Sequence, residues 1–457
     1  MTVYDLAYSL GVGATAPIWL LAPKLRRKVL EALRQRDGQA PQAPRGRPGI
    51  LIHAVSMGEI NATTALVNLL SQAVPELRFI ITTTSLTGAA RAKELYGKNP
   101  DVTLVRFPLD FSRRVARLLV AQRPKVAVLM ELEVWPNFMV ECQKRAIPVI
   151  LVNGRLSAYS FRGYRLAGPL TRPMFRRLAA ACVQEQAYAK RFARVGVVQE
   201  RIRVTGTMKF DTAAGIDRVS GADAVGISVG LRLRPEKIWV CGSTGPGEEQ
   251  IVLNVYARLR QKFPSLRLVI VPRHPQRFDE VAGLIHSAGL AVIRRSQANA
   301  QPATPTAASA DALAVILGDT MGELRKFYSL ADVVFVGRTL VDLGSKQHGS
   351  DMIEPAALAK PVIVGPFTGN FAEVMNRFRE ADSMREVGDE SQLQNAVEEL
   401  LLAPIAAAEM GQRAQDVVRK NLGATARHAE VILEALNSLG SGPGYMPEEE
   451  DEEDEEE

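Results

Sequence analysis

A carboxylate lies where a short apolar run gives way to a helical pattern near the N-terminus. The run at residues 50–55 is followed by Ser56, Gly58 and Glu59. Glycine lets a ligand approach the backbone closely, and a carboxylate at this position can accept a proton from a hydroxyl group. An acidic residue in the first turn of a helix is also favoured by the helix dipole. The sequence therefore leaves two interpretations of Glu59, a general base or a helix-capping residue.

Five further polar residues follow apolar runs in this half of the chain. Thr84 lies in a hydroxyl-rich stretch that can hydrogen-bond carbohydrate or cap a helix. Glu131 and Glu133 cannot both point into a core, so at least one faces a cleft or pairs with a cation. Arg155 and Lys209 add positive charge after later runs. Acidic and basic groups at such positions predict a site for an anionic acceptor.

The C-terminal half contains a segment typical of phosphate binding. Residues 242–248 supply the hydroxyl groups of Ser243 and Thr244. We expect free backbone N–H groups there as well, at the start of a helix. Arg273 and His274 follow the next apolar run. Arginine can bind a phosphate through two hydrogen bonds, and histidine can donate beside it.

A second loop that opens a helix follows another apolar run in this half. It contains Gly318, Met321, Gly322 and Glu323 and can offer backbone groups to a base or a phosphate. Glu354 begins a later helical stretch, where its carboxylate can accept hydrogen bonds from two ribose hydroxyls. Several ligand-binding loops in one half of the chain predict a nucleotide site.

Several other classes of site are disfavoured. Residues 242–248 lack the Gly-Lys-Ser/Thr ending of a P-loop, and no Gly-x-Gly-x-x-Gly fingerprint for a dinucleotide is present. The five histidines and three cysteines are scattered, so we expect neither a metal cofactor nor a disulfide framework. Aromatic residues make up only 6% of the chain and do not alternate with basic ones, which argues against nucleic acid as a partner.

The polar segments are separated by apolar runs that alternate with helix-like stretches. Such an alternation predicts parallel sheets with helices on both faces, here as two consecutive doubly wound α/β domains. Ligands of open α/β sheets bind at the carboxyl ends of the strands, so we expect a cleft between two sets of strand ends. The strand candidates are residues 50–55, 79–81, 102–105, 126–130, 147–152, 179–183, 238–241, 268–271, 315–317, 333–336 and 361–364.

Composition divides the chain into six segments. The predicted segments are an N-terminal anchor at 1–37, a linker at 38–49, a first domain at 50–215, an interdomain linker at 216–236, a second domain at 237–437 and an acidic tail at 438–457.

The two ends of the chain have opposite charge patterns. Residues 10–22 are nearly uncharged and are followed by four basic residues within 24–28, which is typical of a segment embedded at an anionic membrane surface. A buried first helix is the alternative. Residues 448–457 are all Asp or Glu, and we expect them to be disordered and solubilising. Since the net charge is still +6, the rest of the chain is strongly basic and favours a polyanionic partner.

Seven motifs in order resemble those of the 3-deoxy-D-manno-octulosonic acid (Kdo) transferases of lipopolysaccharide assembly. The similarity extends from the N-terminal segment to about residue 435. The motifs occupy residues 53–59, 133–137, 153–157, 205–211, 272–275, 318–324 and 354–357.

This resemblance implies a GT-B glycosyltransferase with two Rossmann-like domains, the acceptor in the first and the donor CMP-Kdo in the second. Glu59 would be the general base that deprotonates a hydroxyl of a lipid A precursor, with inversion at the anomeric carbon and no metal cofactor. The resemblance also implies a monotopic protein on the cytoplasmic face of the inner membrane. The acceptor and Kdo side would comprise Ser56, Gly58, Thr84, Glu131, Glu133, Arg155 and Lys209. The CMP side would comprise Ser243, Thr244, Arg273, His274, Gly318, Met321, Gly322, Glu323 and Glu354.

The chain departs from the family pattern on the donor side. Gly245 and Phe367 stand where histidine is common in the family, Arg338 replaces the second of two glycines, and residues 344–350 are lengthened. Arg338, Lys346 or His348 could compensate for a lost cation. Two alternatives therefore accompany the Kdo transferase hypothesis: a GT-B transferase or epimerase for another nucleotide sugar, and an inactive nucleotide-binding relative.

Overall fold

The computed structural model describes residues 2–21, 26–27, 29–31, 34, 36–44, 46–213, 219–231, 236–298, 314–344 and 349–438. The acidic residues 448–457, Lys346 and His348 lie outside the described residues, as do residues 216–218 and 232–235 of the predicted interdomain linker. The chain divides into two compact units. The first comprises Met1–Thr212 and Gly423–Glu457, and the second comprises Ala213–Leu422.

The first unit contains a parallel sheet in the strand order β3-β2-β1-β4-β5-β6-β7. Its strands are β1 (Gly49–His53), β2 (Arg78–Thr83), β3 (Val102–Arg106), β4 (Val126–Met130), β5 (Val149–Gly154), β6 (Ala180–Val183) and β7 (Ile202–Val204). Its helices are α1 (Val3–Leu21), α2 (Met57–Ala73), α3 (Leu86–Tyr96), α4 (Ser112–Gln122), α5 (Pro136–Lys144), α6 (Ala158–Leu166), α7 (Gly168–Arg176), α8 (Gln186–Val195) and α9 (Lys209–Ala213).

The second unit repeats this architecture, in the order β10-β11-β9-β8-β12-β13-β14. Its strands are β8 (Lys237–Thr244), β9 (Leu266–Pro272), β10 (Val292–Arg294), β11 (Val315–Leu317), β12 (Val333–Val336), β13 (Val362–Val364) and β14 (Arg385–Glu386). Its helices are α10 (Ala222–Ser228), α11 (Glu248–Lys262), α12 (Phe278–Ser287), α13 (Leu324–Leu330), α14 (Ile353–Ala357), α15 (Ala372–Glu380), α16 (Glu390–Leu402) and α17 (Pro404–Lys420). The last helix of the chain, α18 (Ala424–Ser438), belongs to the first unit.

Burial explains why the central strands are continuous apolar runs. Every residue of β1, β4 and β9 is buried, because helices cover both faces of each sheet. The neighbouring strands pair in parallel, as β1 does with both β2 and β4, and β8 with both β9 and β12. Two doubly wound α/β domains of Rossmann-like topology are therefore confirmed. Strand order reverses at β1 and at β8, the positions where such sheets bind ligands.

The predicted C-terminal bound of the second domain, residue 437, is wrong. Helix α18 packs against α2 and against β4 and β5 of the first sheet. Its buried residues Val431 and Ile432 join the apolar cluster that covers one face of that sheet. The amino-acid pattern does not predict this packing, because an amphipathic helix fits either sheet equally well.

Helix α1 is attached to the first unit by polar contacts. Asp5 Oδ1 accepts a hydrogen bond of 2.8 Å from the Ser112 backbone N–H, and the Tyr8 hydroxyl donates to Asp110 Oδ2 over 3.2 Å. Leu6 and Leu10 are exposed on the same helix. Among the described residues, no helix is both long and apolar enough to cross a membrane.

Candidate active site

Glu59 lies in the first turn of α2, immediately after the central strand β1. Its Oε2 accepts a hydrogen bond of 2.9 Å from the Val55 N–H, and its Oε1 accepts one of 3.2 Å from the Ser56 N–H. The Glu59 N–H donates to Ser56 Oγ over 3.2 Å, which completes a capping box. The hydrogen bonds of Glu59 are therefore those of a helix-capping residue. The side chain is also half-buried rather than enclosed, and each carboxylate oxygen can accept more than one hydrogen bond. Both roles are compatible with one carboxylate.

The loop before Glu59 is held by the neighbouring strand β2. The Val55 carbonyl accepts hydrogen bonds from the Thr83 hydroxyl, over 3.1 Å, and from the Ser85 hydroxyl. Arg106 donates to the carbonyls of Thr84 and Ser85 over 2.6 and 2.7 Å. These bonds fix the loops after β1 and β2 against each other, and the side chain of Thr84 stays partly exposed beside them.

His53, the last residue of β1 and the first residue of the motif 53–59, is a candidate site residue that was not among the predicted ones. The ring is fully buried, stacks on Phe107 with centroids 3.8 Å apart, and has Nδ1 3.0 Å from Thr82 Oγ1. Its Nε2 has no hydrogen-bond partner among the described residues and lies 3.8 Å from Glu133 Oε2. Glu133 accepts a hydrogen bond of 3.0 Å from Trp135 Nε1. The available signal was a histidine inside an apolar run, three residues before Ser56.

The remaining predicted residues of the first unit lie at the same edge of the sheet. Glu131 follows β4, Arg155 follows β5, and Lys209 begins α9 after β7. All three side chains are partly exposed. The structure thus brings Ser56 and Glu59 into contact, and Glu133 into contact with His53, and it puts the other predicted residues after neighbouring strands.

Four of the eight non-glycine residues with positive φ in the described part of the chain lie at these strand ends. Glu131, Asn153, Ser243 and Arg338 have φ values of 54°, 53°, 55° and 59°. Glu131 and Arg338 follow the carboxyl ends of β4 and β12. Asn153 and Ser243 are the next-to-last residues of β5 and β8. Non-glycine residues adopt this left-handed conformation at a cost of roughly 1–2 kcal/mol, and such residues cluster at active sites. The observation supports both edges as functional.

Helix α18 supports the first edge from a distant part of the chain. His428 is buried; its Nε2 accepts a hydrogen bond of 2.7 Å from the Asn153 N–H. Its Nδ1 is 2.5 Å from the Ala424 carbonyl, so the neutral ring donates there. Burial lowers the pKa of His428 to about 4. Asp211 accepts from the N–H groups of Gly423 and Thr425 over 2.7 and 2.5 Å, and so caps the same helix. These residues were missed because their partners are more than 200 positions away.

A buried carboxylate organises the edge of the second sheet. Glu248 Oε2 accepts hydrogen bonds from the N–H groups of Gly245 and Arg338 over 2.8 and 2.6 Å. Its Oε1 accepts from Thr339 and Leu340, each over 2.9 Å. The side chain is fully buried, and burial raises its pKa although these four N–H groups oppose the shift. The expectation of free N–H groups in residues 242–248 is therefore wrong for Gly245, because Glu248 occupies its N–H.

The predicted phosphate-binding residues lie around this carboxylate. Ser243 and Thr244 end β8 and are buried, and Thr244 Oγ1 has no hydrogen-bond partner among the described residues. Arg273 and His274 are exposed just after β9. Partial burial and the positive charges of Arg338 and Arg273 lower the pKa of His274, and burial and Arg273 lower that of Arg338. A concentration of positive charge of this kind suits an anion.

The loop after β11 is held by ion pairs. Glu323 accepts a hydrogen bond of 2.5 Å from the Thr320 hydroxyl and pairs with Arg295 at 3.0 Å. Met321 is 73% exposed, and Gly322 has a φ of 81°. The carboxylate of Glu323 therefore shapes the loop, while Met321 and Gly322 form its accessible surface.

Two other predicted donor-side residues complete this edge. A Cβ atom on Gly318 would lie 2.8 Å from Val271 Cγ2, so the loop can pack there only with glycine. Glu354 begins α14, and burial together with the charge of Asp351 raises its pKa, against the opposing charges of Arg325 and Arg273. Among the described residues, no group of three His, Cys, Asp or Glu side chains is arranged to hold a metal ion.

Comparison with known proteins adds an independent observation. Residues 31–212 match the model of the family described as 3-Deoxy-D-manno-octulosonic-acid transferase (kdotransferase). The chain is similar to the 3-deoxy-D-manno-octulosonic acid transferase of Haemophilus influenzae, with 34% identity over 84% of this chain and 86% of that protein. The enzyme of the same name from Bordetella pertussis is 31% identical over 94% of this chain and 99% of its own length.

Solved structures support the fold. The UDP-GlcNAc 2-epimerase from Neisseria meningitidis, bound to UDP-GlcNAc, aligns with a TM-score of 0.55 over 85% of this chain and 100% of its own, at 12% identity. Anabaena Alr3699/HepE in complex with UDP aligns with the same TM-score over 86% of this chain and 100% of its own, at 14% identity. At these identities the similarity extends to the architecture of two Rossmann-like domains and no further.

Proposed function

The chain belongs to the Kdo transferase family of glycosyltransferases, and we propose that it moves Kdo from CMP-Kdo to a hydroxyl of a lipid A precursor with inversion of configuration. The observation that carries this proposal is Glu59, a half-buried carboxylate at the switch point of the first sheet, within a chain that matches Kdo transferases over most of its length.

In the proposed reaction, Glu59 accepts the proton of a glucosamine hydroxyl as that oxygen attacks the anomeric carbon of Kdo. The bond between this carbon and the CMP phosphate oxygen breaks, and CMP leaves from the opposite face. The N–H groups of Val55 and Ser56 hold the carboxylate in one orientation before the acceptor arrives. Such positioning lowers the entropic part of the barrier.

On the donor side, we assign the CMP phosphate to Arg273 and His274. Both side chains are exposed after β9, and Arg273 lies near enough to influence the pKa of His274 and of Glu354. Glu354 would then accept from the ribose hydroxyls, and the accessible surface at Met321 and Gly322 would contact the base. Charge compensation by fixed cations replaces a metal ion in this proposal.

On the acceptor side, we assign the negative charges of Kdo and the lipid to Arg155 and Lys209. Both follow strands of the same sheet as Glu59. Glu131 and Glu133 would orient sugar hydroxyls, with the buried ring of His53 3.8 Å from Glu133 Oε2.

We also propose that α1 lies on the cytoplasmic face of the inner membrane. Val3, Leu6 and Leu10 are 70%, 50% and 65% exposed, while Asp5 and Tyr8 bind the first unit. A helix with one face attached and apolar side chains exposed on another fits a membrane interface.

The activity is tested by incubating the protein with CMP-Kdo and a lipid A precursor and analysing the lipid by mass spectrometry. We expect a mass increase of one or more Kdo units. Protection of the protein against thermal unfolding by CMP but not by UDP is expected in parallel. Protection by UDP alone would favour a different nucleotide sugar, and nucleotide binding without a lipid product would favour an inactive relative.

Membrane association is tested separately by cosedimentation with vesicles that contain phosphatidylglycerol. Serine substitutions at Val3, Leu6 and Leu10 are expected to weaken binding. Serine at Ile227, Leu402 and Ile405, which are exposed on the second unit, serves as the matched control. Equal binding of both variants would contradict the interface role of α1.

A further inference from the structure

A groove lined by arginines lies on the first unit, away from the strand ends described above. Two adjoining cavities of about 610 and 530 Å³ share Pro173 and Arg176. The arginines that line them come from α6, α7, α8 and the turns after α7 and before β7: Arg165, Arg172, Arg176, Arg177, Arg194 and Arg201. We call this surface the arginine groove.

The arginines are held in position without being neutralised. Arg177 Nε donates to Gln143 Oε1 over 2.6 Å, and Arg201 Nη1 donates to the Leu178 carbonyl over 3.0 Å. The guanidinium groups of Arg194 and Arg165 lie 5.4 and 5.7 Å from the ring of Phe161. Within the described part of the chain, no carboxylate lies within ion-pair distance of the six arginines. Each guanidinium has five N–H donors, so most of the hydrogen-bonding capacity of the six arginines remains available to an anion.

The chain itself supplies an anion next to the groove. Ser438, the last residue of α18, lines the larger cavity beside Arg176 and Arg201. Nine residues, 439–447, then lead to the ten consecutive acidic residues 448–457. A segment of that length spans up to about 30 Å, so the acidic residues can reach every part of the two cavities.

We propose that the arginine groove binds the acidic segment 448–457 of the same chain. The match is one of charge and geometry, since arginine forks pair with carboxylates through two parallel hydrogen bonds. Individual exposed pairs contribute little and are screened by salt. Covalent attachment beside the groove compensates, because it makes binding intramolecular and raises the effective concentration of the segment. The bound segment keeps other polyanions out of the groove.

The proposal is tested in the full chain by double electron–electron resonance between nitroxide labels at Gln199→Cys and Glu457→Cys. Gln199 is exposed two residues before Arg201. The native cysteines, Cys142, Cys182 and Cys241, are buried, which leaves the two new thiols for labelling. We expect a distinct short-distance population at low salt that disappears in about 1 M NaCl, where the Debye length is ~3 Å.

A matched pair of variants tests the location. Arg172→Gln, Arg176→Gln and Arg201→Gln together should abolish the short-distance population. Lys93→Gln, Lys98→Gln and Lys125→Gln remove the same charge from exposed sites of the first unit and should leave it unchanged. Glutamine at the acidic positions 448–456, which leaves the folded units untouched, should have the same effect as the arginine variant. This second route keeps the test valid if the arginine variant unfolds.

Two results would overturn the proposal. One is a broad distance distribution that neither salt nor the arginine substitutions alter. The other is an unaltered short distance combined with weaker binding of the arginine variant to phosphatidylglycerol vesicles, which would assign the groove to lipid headgroups. The measurement uses no substrate, so its outcome is independent of the proposed transferase activity.

Discussion

Glu59 and Glu248 occupy equivalent places in the two units, yet they have opposite environments. Each lies in the first turn of the helix that follows the strand where the sheet order reverses, β1 in one case and β8 in the other. Glu59 accepts two backbone N–H bonds and is half-buried. Glu248 accepts four and is fully buried.

The difference shows how one residue type can have two functions at the same position of a fold. A carboxylate with unused accepting capacity at the surface can take a proton from a substrate. A carboxylate whose capacity is saturated by N–H groups from two loops can only hold those loops together. The first unit therefore presents a carboxylate that can still accept a proton, as the proposed function requires, and the second unit presents a rigid edge.

Among the substitutions that test this difference, Glu59→Gln is expected to have the largest effect. Loss of a general base should lower kcat for Kdo transfer about a thousandfold. The free energy of unfolding should fall by less than about 1 kcal/mol, because the Gln side chain can still accept one capping bond. Rates are measured with CMP-Kdo and a lipid A precursor, and CMP affinity serves as the control. Unchanged turnover would remove Glu59 from the role of base.

Glu248→Gln should reverse this pattern. Its amide nitrogen cannot accept hydrogen bonds, so two of the four buried N–H donors lose their partner. We expect the free energy of unfolding to fall by about 3 kcal/mol, with weaker CMP binding, as measured by denaturant titration and calorimetry. A loss as small as that of Glu59→Gln would show that the two carboxylates are equivalent after all.

His428→Gln tests how the first edge is held, because the His428 ring binds the N–H of Asn153 at the end of β5. With its pKa lowered to about 4 by burial, His428 is neutral in the folded state and gains a proton near pH 6.5 only on unfolding. Its contribution to stability is therefore complete above pH 6.5 and declines as the pH falls. The unfolding free energy of the parent should drop by about 2 kcal/mol more than that of the variant between pH 8 and 5. Parallel pH profiles would contradict this.

Arg273→Gln should have the smallest effect. We expect CMP affinity to fall about tenfold, since a charge-assisted hydrogen bond is lost, and the loss should shrink at higher salt. Lys420→Gln, an exposed change on the same unit, is the control. An equal effect of both would indicate general electrostatic attraction and no specific site at the second edge.

The sequence predicted the central strands well but missed three of the four edge strands. All the strands predicted from apolar runs are present, because burial on both faces requires continuous apolar residues. The strands β7, β10 and β14 were missed. They are short and partly exposed, as in Ile202–Val204, Val292–Arg294 and Arg385–Glu386, so no apolar run marks them.

The candidate site was predictable only where its signals are local. The alternation of strands and helices predicts that residues such as Glu59 and Arg273 lie just after strand ends. Three of the four N–H partners of Glu248 lie about 90 positions further along the chain, and the partner of the Asn153 N–H lies in α18. Long-range hydrogen bonds of this kind depend on tertiary packing, which periodicity does not encode.

The placement of α18 has a consequence for synthesis on the ribosome. The first unit begins with residue 1 but is finished only by α18, so the polypeptide 213–422 must be made before His428 and the helix capped by Asp211 arrive. At usual translation speeds this leaves the part of the nascent sheet that α18 covers exposed for on the order of tens of seconds. During that interval the growing chain is a natural client for chaperones, and a premature stop between residue 212 and α18 would leave an aggregation-prone fragment.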